Sequence, residues 1–287
     1  MRIVYYAIGG GLGHLVRARA FLHTLNLSDA AVVLTASDHA RDARVVGELD
    51  IAFAPKSLEA NPAAFRAWLL SALARLQPDA LCIDAFPAGV LGELCDLPQL
   101  GFDFWHVARL LRWNEYAAQL TGAGPHYRRV FRVEALTPPH QQFLERHSDS
   151  IEDLALVDPD GTAPVQPDAP YWLVVHSGPE SEVAELVAYA DEIRHAENAD
   201  IALLVISASA PHDLPPAARA LDVYPATSYF AAAQRIFSAA GFNVMRQMAP
   251  WRAKHCVLPM PRRFDDQFAR LRREISIPAG DSLTRRG

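Results

Sequence analysis

Short β-branched runs alternate along this chain with alanine-rich stretches of helical period, and after glycine turns the whole pattern starts again in mid-chain. That alternation constrains the fold more than any other feature. It is the pattern of βαβ units, in which each crossover helix brings the next strand back parallel to the last. Residues 3–8 form a continuous apolar run ending in glycines, as a strand buried on both faces should. Helical periodicity follows over 14–25, with Leu15, Ala18, Leu22 and Leu25 on one face. Further strands are predicted at 31–34, 50–53, 80–83 and 100–102, and helices at 62–76, with proline in the first turn, and at 106–120.

Over 151–170 the composition shifts to Asp, Pro, Gly and Thr, which reads as a linker. A new strand is then predicted at 171–176, a helix at 182–195, and strands at 201–206, 222–224, 235–238 and 255–258. A helix opens after Gly241, another covers 264–274, and the tail from 277 reads as disordered. The expected domains are 1–155 and 165–287.

Composition narrows the function. The 287 residues are 51% hydrophobic and 21% charged, enough to bury a core without a disulfide or metal staple. A net charge of −6 with no markedly basic half argues against nucleic acid as a partner. Three widely spaced cysteines, Cys82, Cys95 and Cys256, suggest reduced thiols and a cytoplasmic location. The N-terminus reads as a strand, not a signal peptide. No apolar run reaches the roughly 20 residues of a membrane helix. Peripheral contact with a membrane through an amphipathic patch stays compatible with the sequence.

Three constellations carry chemistry. The first is Gly9-Gly10-Gly11-Leu12-Gly13-His14 between the first strand and helix, with Arg17 one turn on. Glycines there let a ligand approach the backbone, and free N–H groups at a helix start attract anions. The spacing is not the dinucleotide fingerprint. His14 falls where parallel sheets bind ligands, and an imidazole suits general-base work. A tight turn with a capping or buried histidine is the competing reading. The second is Ser238-Ala239-Ala240-Gly241-Phe242-Asn243, then Gln247, then Asp266-Gln267. Taken singly, Asn243 could be a turn cap and Asp266-Gln267 a solvated first helical turn. The third is Asp84-Ala85-Phe86-Pro87 with Gly89 and Glu93, where Asp84 could orient His14 or cap the next helix. Arg109, Arg112 and Trp113 fit either an acceptor pocket or packing. His176 and Ser177 end a strand but form no Asp-ordered triad.

The string GLGHLVRARA resembles the first loop of GT-B nucleotide-sugar glycosyltransferases, and in particular the predicted glycosyltransferases related to the peptidoglycan lipid-intermediate N-acetylglucosaminyltransferase. The second constellation resembles that superfamily's nucleotide-sugar signature, and Asp84-Ala85-Phe86-Pro87 its DxFPxG segment. The resemblance implies an α/β fold of two Rossmann-like parallel-sheet domains facing a central cleft. It also implies a metal-independent transfer of sugar from a nucleotide-sugar, UDP-linked or similar, to an acceptor hydroxyl of unknown identity. His14 and Asp84 would be catalytic. Gly10, Gly11, Gly13, Arg17, Ser177, Tyr224, Ala240, Gly241, Phe242, Asn243, Gln247, Asp266 and Gln267 would bind substrate or nucleotide. The nucleotide-sugar would be a co-substrate, with no other cofactor. The chain departs from the pattern at Ala239 and Ala240, and Gln247 stands where the family has a ribose-binding glutamate, giving a neutral hydrogen bond for a charge-assisted one. Two alternatives are a nucleotide-sugar hydrolase or epimerase on the same scaffold, and a non-catalytic nucleotide-sugar-binding homologue.

Overall fold

The computed structural model describes residues 1–9, 11–58, 61–98, 100–159, 164–165 and 169–276. Gly10 and the tail from 277 lie outside them. The chain divides into two compact units, Met1–Gly161 and Thr162–Gly287.

The first unit is built on seven strands: β1 (Ile3–Ala7), β2 (Ala31–Thr35), β3 (Asp50–Phe53), β4 (Ala80–Asp84), β5 (Asp103–Ala108), β6 (Arg129–Arg132) and β7 (Ile151–Asp153). Their order is β3-β2-β1-β4-β5-β6-β7, and every pairing is parallel. Helices α1 (Leu12–Thr24), α2 (Ala43–Val46), α3 (Pro62–Leu76), α4 (Trp113–Ala117) and α5 (Pro138–Arg146) make the connections. All five residues of β1, β2 and β4 are buried, which is why these runs are apolar without alternation. The Asn61 side chain caps α3 by accepting the Ala64 N–H, Pro62 supplies its first turn, and Gln77 ends it in the left-handed region. Phe65, Leu69 and Leu73 of α3 then pack on Val4, Tyr6, Leu81 and Ile83.

The second unit repeats the plan with β8 (Tyr171–Val175), β9 (Ala202–Ile206), β10 (Ala218–Leu221), β11 (Arg235–Ala239) and β12 (His255–Leu258), ordered β10-β9-β8-β11-β12 and all parallel. Its helices are α6 (Glu180–Ala196), α7 (Phe242–Gln247) and α8 (Gln267–Ser276). The sheet is covered on both faces. Val183, Leu186 and Val187 of α6 meet Trp172, Val174 and Phe237, while Phe230 and Met248 meet Tyr171, Leu173 and Ile236. Among the described residues no helix is long and apolar enough to cross a membrane.

Each sheet reverses its strand order at one place, between β1 and β4 in the first and between β8 and β11 in the second. Loops on either side of such a reversal diverge and leave room at the carboxyl edge, the usual ligand position in open α/β sheets. The first reversal sets the glycine turn and His14 beside the end of β4 at Asp84. The second sets His176-Ser177-Gly178 beside Ala240-Gly241.

Several elements differ from the sequence expectation. Residues 103–108 form the strand placed at 100–102, and only 113–117 of the expected helix over 106–120 is helical. β6 and α5 were not anticipated, and the expected linker begins with β7. The strand expected at 222–224 lies at 218–221 instead.

Candidate active site

Asp84 is the last residue of β4, and its side chain is fully buried. A bare carboxylate there would be costly, and four hydrogen bonds meet it. Arg17 on α1 donates from Nε to Oδ1 and from Nη2 to Oδ2, both at 2.6 Å. The Tyr5 hydroxyl of β1 donates to Oδ1 at 2.8 Å, and His14 Nδ1 lies 2.6 Å from Oδ2. Burial alone would push the Asp84 carboxyl up. The Arg17 charge and the His14 hydrogen bond outweigh it and hold the group far below the usual carboxylate range.

An ionised carboxylate only accepts, so the proton in the His14–Asp84 contact sits on His14 Nδ1. In the neutral ring Nε2 then carries the lone pair, and among the described residues it has no hydrogen-bond partner. Burial lowers the imidazole's proton affinity, with the Asp84 bond opposing it in part, and so favours the neutral ring. Its side chain keeps 13% exposure. Gly9 backs the ring with φ +157°, and a Cβ at Gly9 would overlap His14 Nε2. Phe86 flanks the ring at 5.9 Å between centroids.

The segment after Asp84 is held from beneath by buried tyrosines. Ala85 takes φ +63°, a left-handed state costly for a residue with a Cβ, and its N–H is anchored on the Val107 carbonyl at 3.0 Å. Tyr127 donates to the Pro87 carbonyl at 2.5 Å. Tyr116 accepts the Ala88 N–H at 2.8 Å and donates to the Gly89 carbonyl at 2.9 Å. Glu93 accepts from the Tyr6 hydroxyl at 2.5 Å and from the Leu91 N–H at 2.8 Å; burial pushes its carboxyl up. Gly89 has φ +82°, and a Cβ there would overlap the Glu93 carboxyl. The spacing of Asp84, Gly89 and Glu93 is thus the spacing of a locked loop.

In the second unit the turn after β11 is tied down differently. Arg270 on α8 is nearly buried, donates to the Ala240 carbonyl at 2.8 Å and pairs with Asp265 at 2.8 Å. Ser238 Oγ donates to the Ala239 carbonyl and lies 2.7 Å from His255 Nε2. Arg252 donates to His255 Nδ1 at 2.9 Å, so Nε2–H points at Ser238 and the imidazole cannot take the serine's proton. This chain of contacts is structural. Glu182 pairs with both His176 and Arg262 at the end of β8.

The structure brings together His14, Arg17 and Asp84. Gly11 and Gly13 lie in the same turn, and Gly10 lies outside the described residues. Arg17 was expected to meet substrate, but it is 3% exposed and its guanidinium is engaged by Asp84. Around the second reversal lie exposed Ser177, buried Ala240 and Phe242, and half-buried Gly241, Asn243 and Gln247. Tyr224 is half-buried and precedes a cis proline. α7 is only six residues long and offers local N–H groups without a long axial dipole. Asp266 caps α8 by accepting the Ala269 N–H, and buried Gln267 accepts the Met260 N–H, so both side chains serve the fold. Trp113 stacks on His140 at 4.3 Å, and Arg109 is buried over Phe86, as in packing. Sequence reasoning missed Tyr5, Tyr6, Tyr116, Tyr127 and Arg270. The signal was two tyrosines inside the fully buried β1, since a buried tyrosine hydroxyl needs a partner.

No family model matches the chain, and no curated protein matches it. Solved structures do. The spinosyn rhamnosyltransferase SpnG complexed with thymidine diphosphate superposes with a TM-score of 0.60 at 15% identity, over 95% of this chain and 83% of that one. The glycosyltransferase SnogD from Streptomyces nogalater gives 0.54 at 17% identity, over 90% and 81%. The glycosyltransferase VinC in complex with dTDP gives 0.51 at 15% identity, over 91% and 81%. The chain, with its two all-parallel sheets, thus has the fold of these solved glycosyltransferases, the GT-B fold.

Proposed function

We propose that this chain is a glycosyltransferase that moves a sugar from a nucleoside-diphosphate donor to an acceptor hydroxyl without a metal ion, with His14 as general base. The observation that carries the reading is His14 held through Nδ1, 2.6 Å from the carboxylate of buried Asp84, at the first sheet's reversal point, with no hydrogen-bond partner on Nε2 among the described residues. The acceptor hydroxyl hydrogen-bonds to Nε2. As its oxygen attacks the anomeric carbon, the proton passes to Nε2 and the bond to the diphosphate breaks, the electron pair leaving with the phosphate. Asp84 stabilises the imidazolium that forms.

The donor is assigned to the second unit, around Ser177, Tyr224, Gly241, Asn243 and Gln247. Two features support this. Gly241 sits in ordinary extended backbone, and among the described residues a Cβ there would meet only Val244, so none of them demands glycine. The first turn of α7 carries no acidic side chain to compete with a phosphate. The thymidine diphosphate in the SpnG structure supports a nucleotide-sugar donor for this fold.

The test is incubation with UDP-, GDP- and TDP-sugars, with and without alcohol and phenol acceptors, followed by mass spectrometry. A new glycoside supports transfer. Free sugar in equal yield without acceptor marks a hydrolase, and nucleotide binding without turnover marks a binding protein.

A further inference from the structure

Asp84 is shared. In a simple histidine–carboxylate pair the carboxylate gives its charge to the imidazole alone. Here Arg17 takes both oxygens at 2.6 Å, and Tyr5 takes a further lone pair of Oδ1. Arg17 Nη2 also lies 3.4 Å from His14 Nδ1. Since Nδ1 bears the proton, that approach is a charge beside the ring and not a hydrogen bond to it.

We propose that Arg17 is a positioning residue that sets the strength of the His14 base, by holding the Asp84 carboxylate in line with Nδ1 while drawing off much of the charge the imidazole would otherwise feel. This rests on the reading of His14 as the base. Three observations support it. Arg17 and Asp84 are both buried, so water screens their pairing little. The guanidinium is a planar fork that fits a carboxylate edge-on, and this fixes the orientation of Oδ2. His14 and Arg17 stand one turn apart on α1, so a single helix carries both the base and the group that tempers it.

The charged and titratable groups acting on the pair come from every neighbouring element. They are Arg17 on α1, Tyr5 on β1, Cys82 and Asp84 on β4, His106 on β5 and Arg109 just beyond it. Burial and the two arginines lower the imidazole's proton affinity, and Asp84 raises it. With Arg17 gone, the balance moves toward the carboxylate. A tempered base keeps the lone pair available at neutral pH and suits an acceptor whose hydroxyl proton is already loosened on attack.

The experiment is a nitrogen-15 NMR titration of the His14 ring in the full chain, wild type against R17Q and R17K, with the amide spectrum reporting the fold. It needs no substrate. In the wild type, His14 should be the Nδ1–H tautomer and should titrate below an ordinary histidine. In R17Q its midpoint should rise by about one pH unit or more, the usual effect of an opposite charge no longer shared. R17K, which cannot bridge both oxygens, should fall between. A His14 midpoint that does not move in a folded R17Q would overturn the proposal, as would an Nε2–H tautomer in the wild type. Should R17Q not fold, R17K decides alone, because a purely structural arginine predicts no shift there. Failure of the reading of His14 as the base would appear instead as H14A retaining full turnover, and failure of the transferase reading as no glycoside from the wild type, whatever the titration shows.

Discussion

At the scale of single residues, the glycines divide by the job each does. Gly9 is required by geometry, since a side chain there would overlap Nε2 of His14. Gly9→Ala should therefore displace the imidazole and reduce transfer on the order of 100-fold, the scale of a misplaced catalytic group, with nucleotide affinity nearly kept. Steady-state rates beside calorimetric binding would check this; an unchanged rate would mean the ring is not fixed from that side. A Cβ at Gly11 would meet open space and one at Gly241 only an ordinary contact with Val244 at 3.9 Å, so valine should leave the fold intact at each. Gly241→Val should abolish nucleotide binding, and Gly11→Val should impair turnover more than affinity. The reverse pattern in binding measurements would place the nucleotide on the first unit. His14 and Asp84 were legible in the sequence because Asp84 closes an apolar strand and His14 opens the helix that follows another apolar strand and its glycine turn, both at the edge where a parallel sheet binds ligands. Arg17 was legible as a neighbour but not in its role, because nothing in spacing alone says that an arginine will turn inward to a carboxylate 67 residues away.

Among elements, the loop from Asp84 to Glu93 shows what spacing can hide. Its shape depends on hydroxyls from β1, α4 and Tyr127, all distant in sequence. Glu93→Ala would leave the Tyr6 hydroxyl and the Leu91 N–H unpaired in the interior, so it should cost about 2–4 kcal/mol in urea unfolding. A loss under about 0.5 kcal/mol would mean the loop is held by its backbone bonds. Central strands such as β1, β2, β4 and β8 were read from unambiguous apolar runs, and the less buried edge strands β3 and β12 also fall where the sequence places them. β5 was displaced because Asp103 and His106 interrupt its apolar run; His106 is nonetheless fully buried, with Nδ1 bonded to the Ile83 carbonyl at 3.0 Å. β6 and β7 were missed because they lie toward the sheet's edge and pair across with charges, Arg129 with Glu152 and Arg132 with Asp153. Short charged strands protect an edge and look like loop in one dimension.

For the molecule as a whole, buried histidines set the response to acid. Burial pushes His106 down to about 4 and His140 and His255 down to about 3. Unfolded, each returns to about 6.5 and binds a proton that the folded state refuses. Stability should therefore be full above pH 6.5 and be lost as pH falls from there toward 4 and 3. The loss for His106 alone should be on the order of 3 kcal/mol across that window. Urea titrations from pH 7 down to pH 4 would show it, and His106→Asn should flatten the slope; a stability that is level over that range would contradict the burial argument.

The central claim concerns His14 and the departing nucleotide, and one measurement addresses both. Nucleoside diphosphate released from the best UDP-, GDP- or TDP-sugar should be followed by phosphorus NMR, with an acceptor mixture present, for the wild type and for H14A. Arg17 and Tyr5 still hold Asp84 when the imidazole is removed, so H14A should melt within a few degrees of the wild type. Its release rate should be lower by about 100- to 10,000-fold, the range of a lost general base. Release by H14A at the wild-type rate, from a variant that is folded and still binds the nucleotide, would contradict the account.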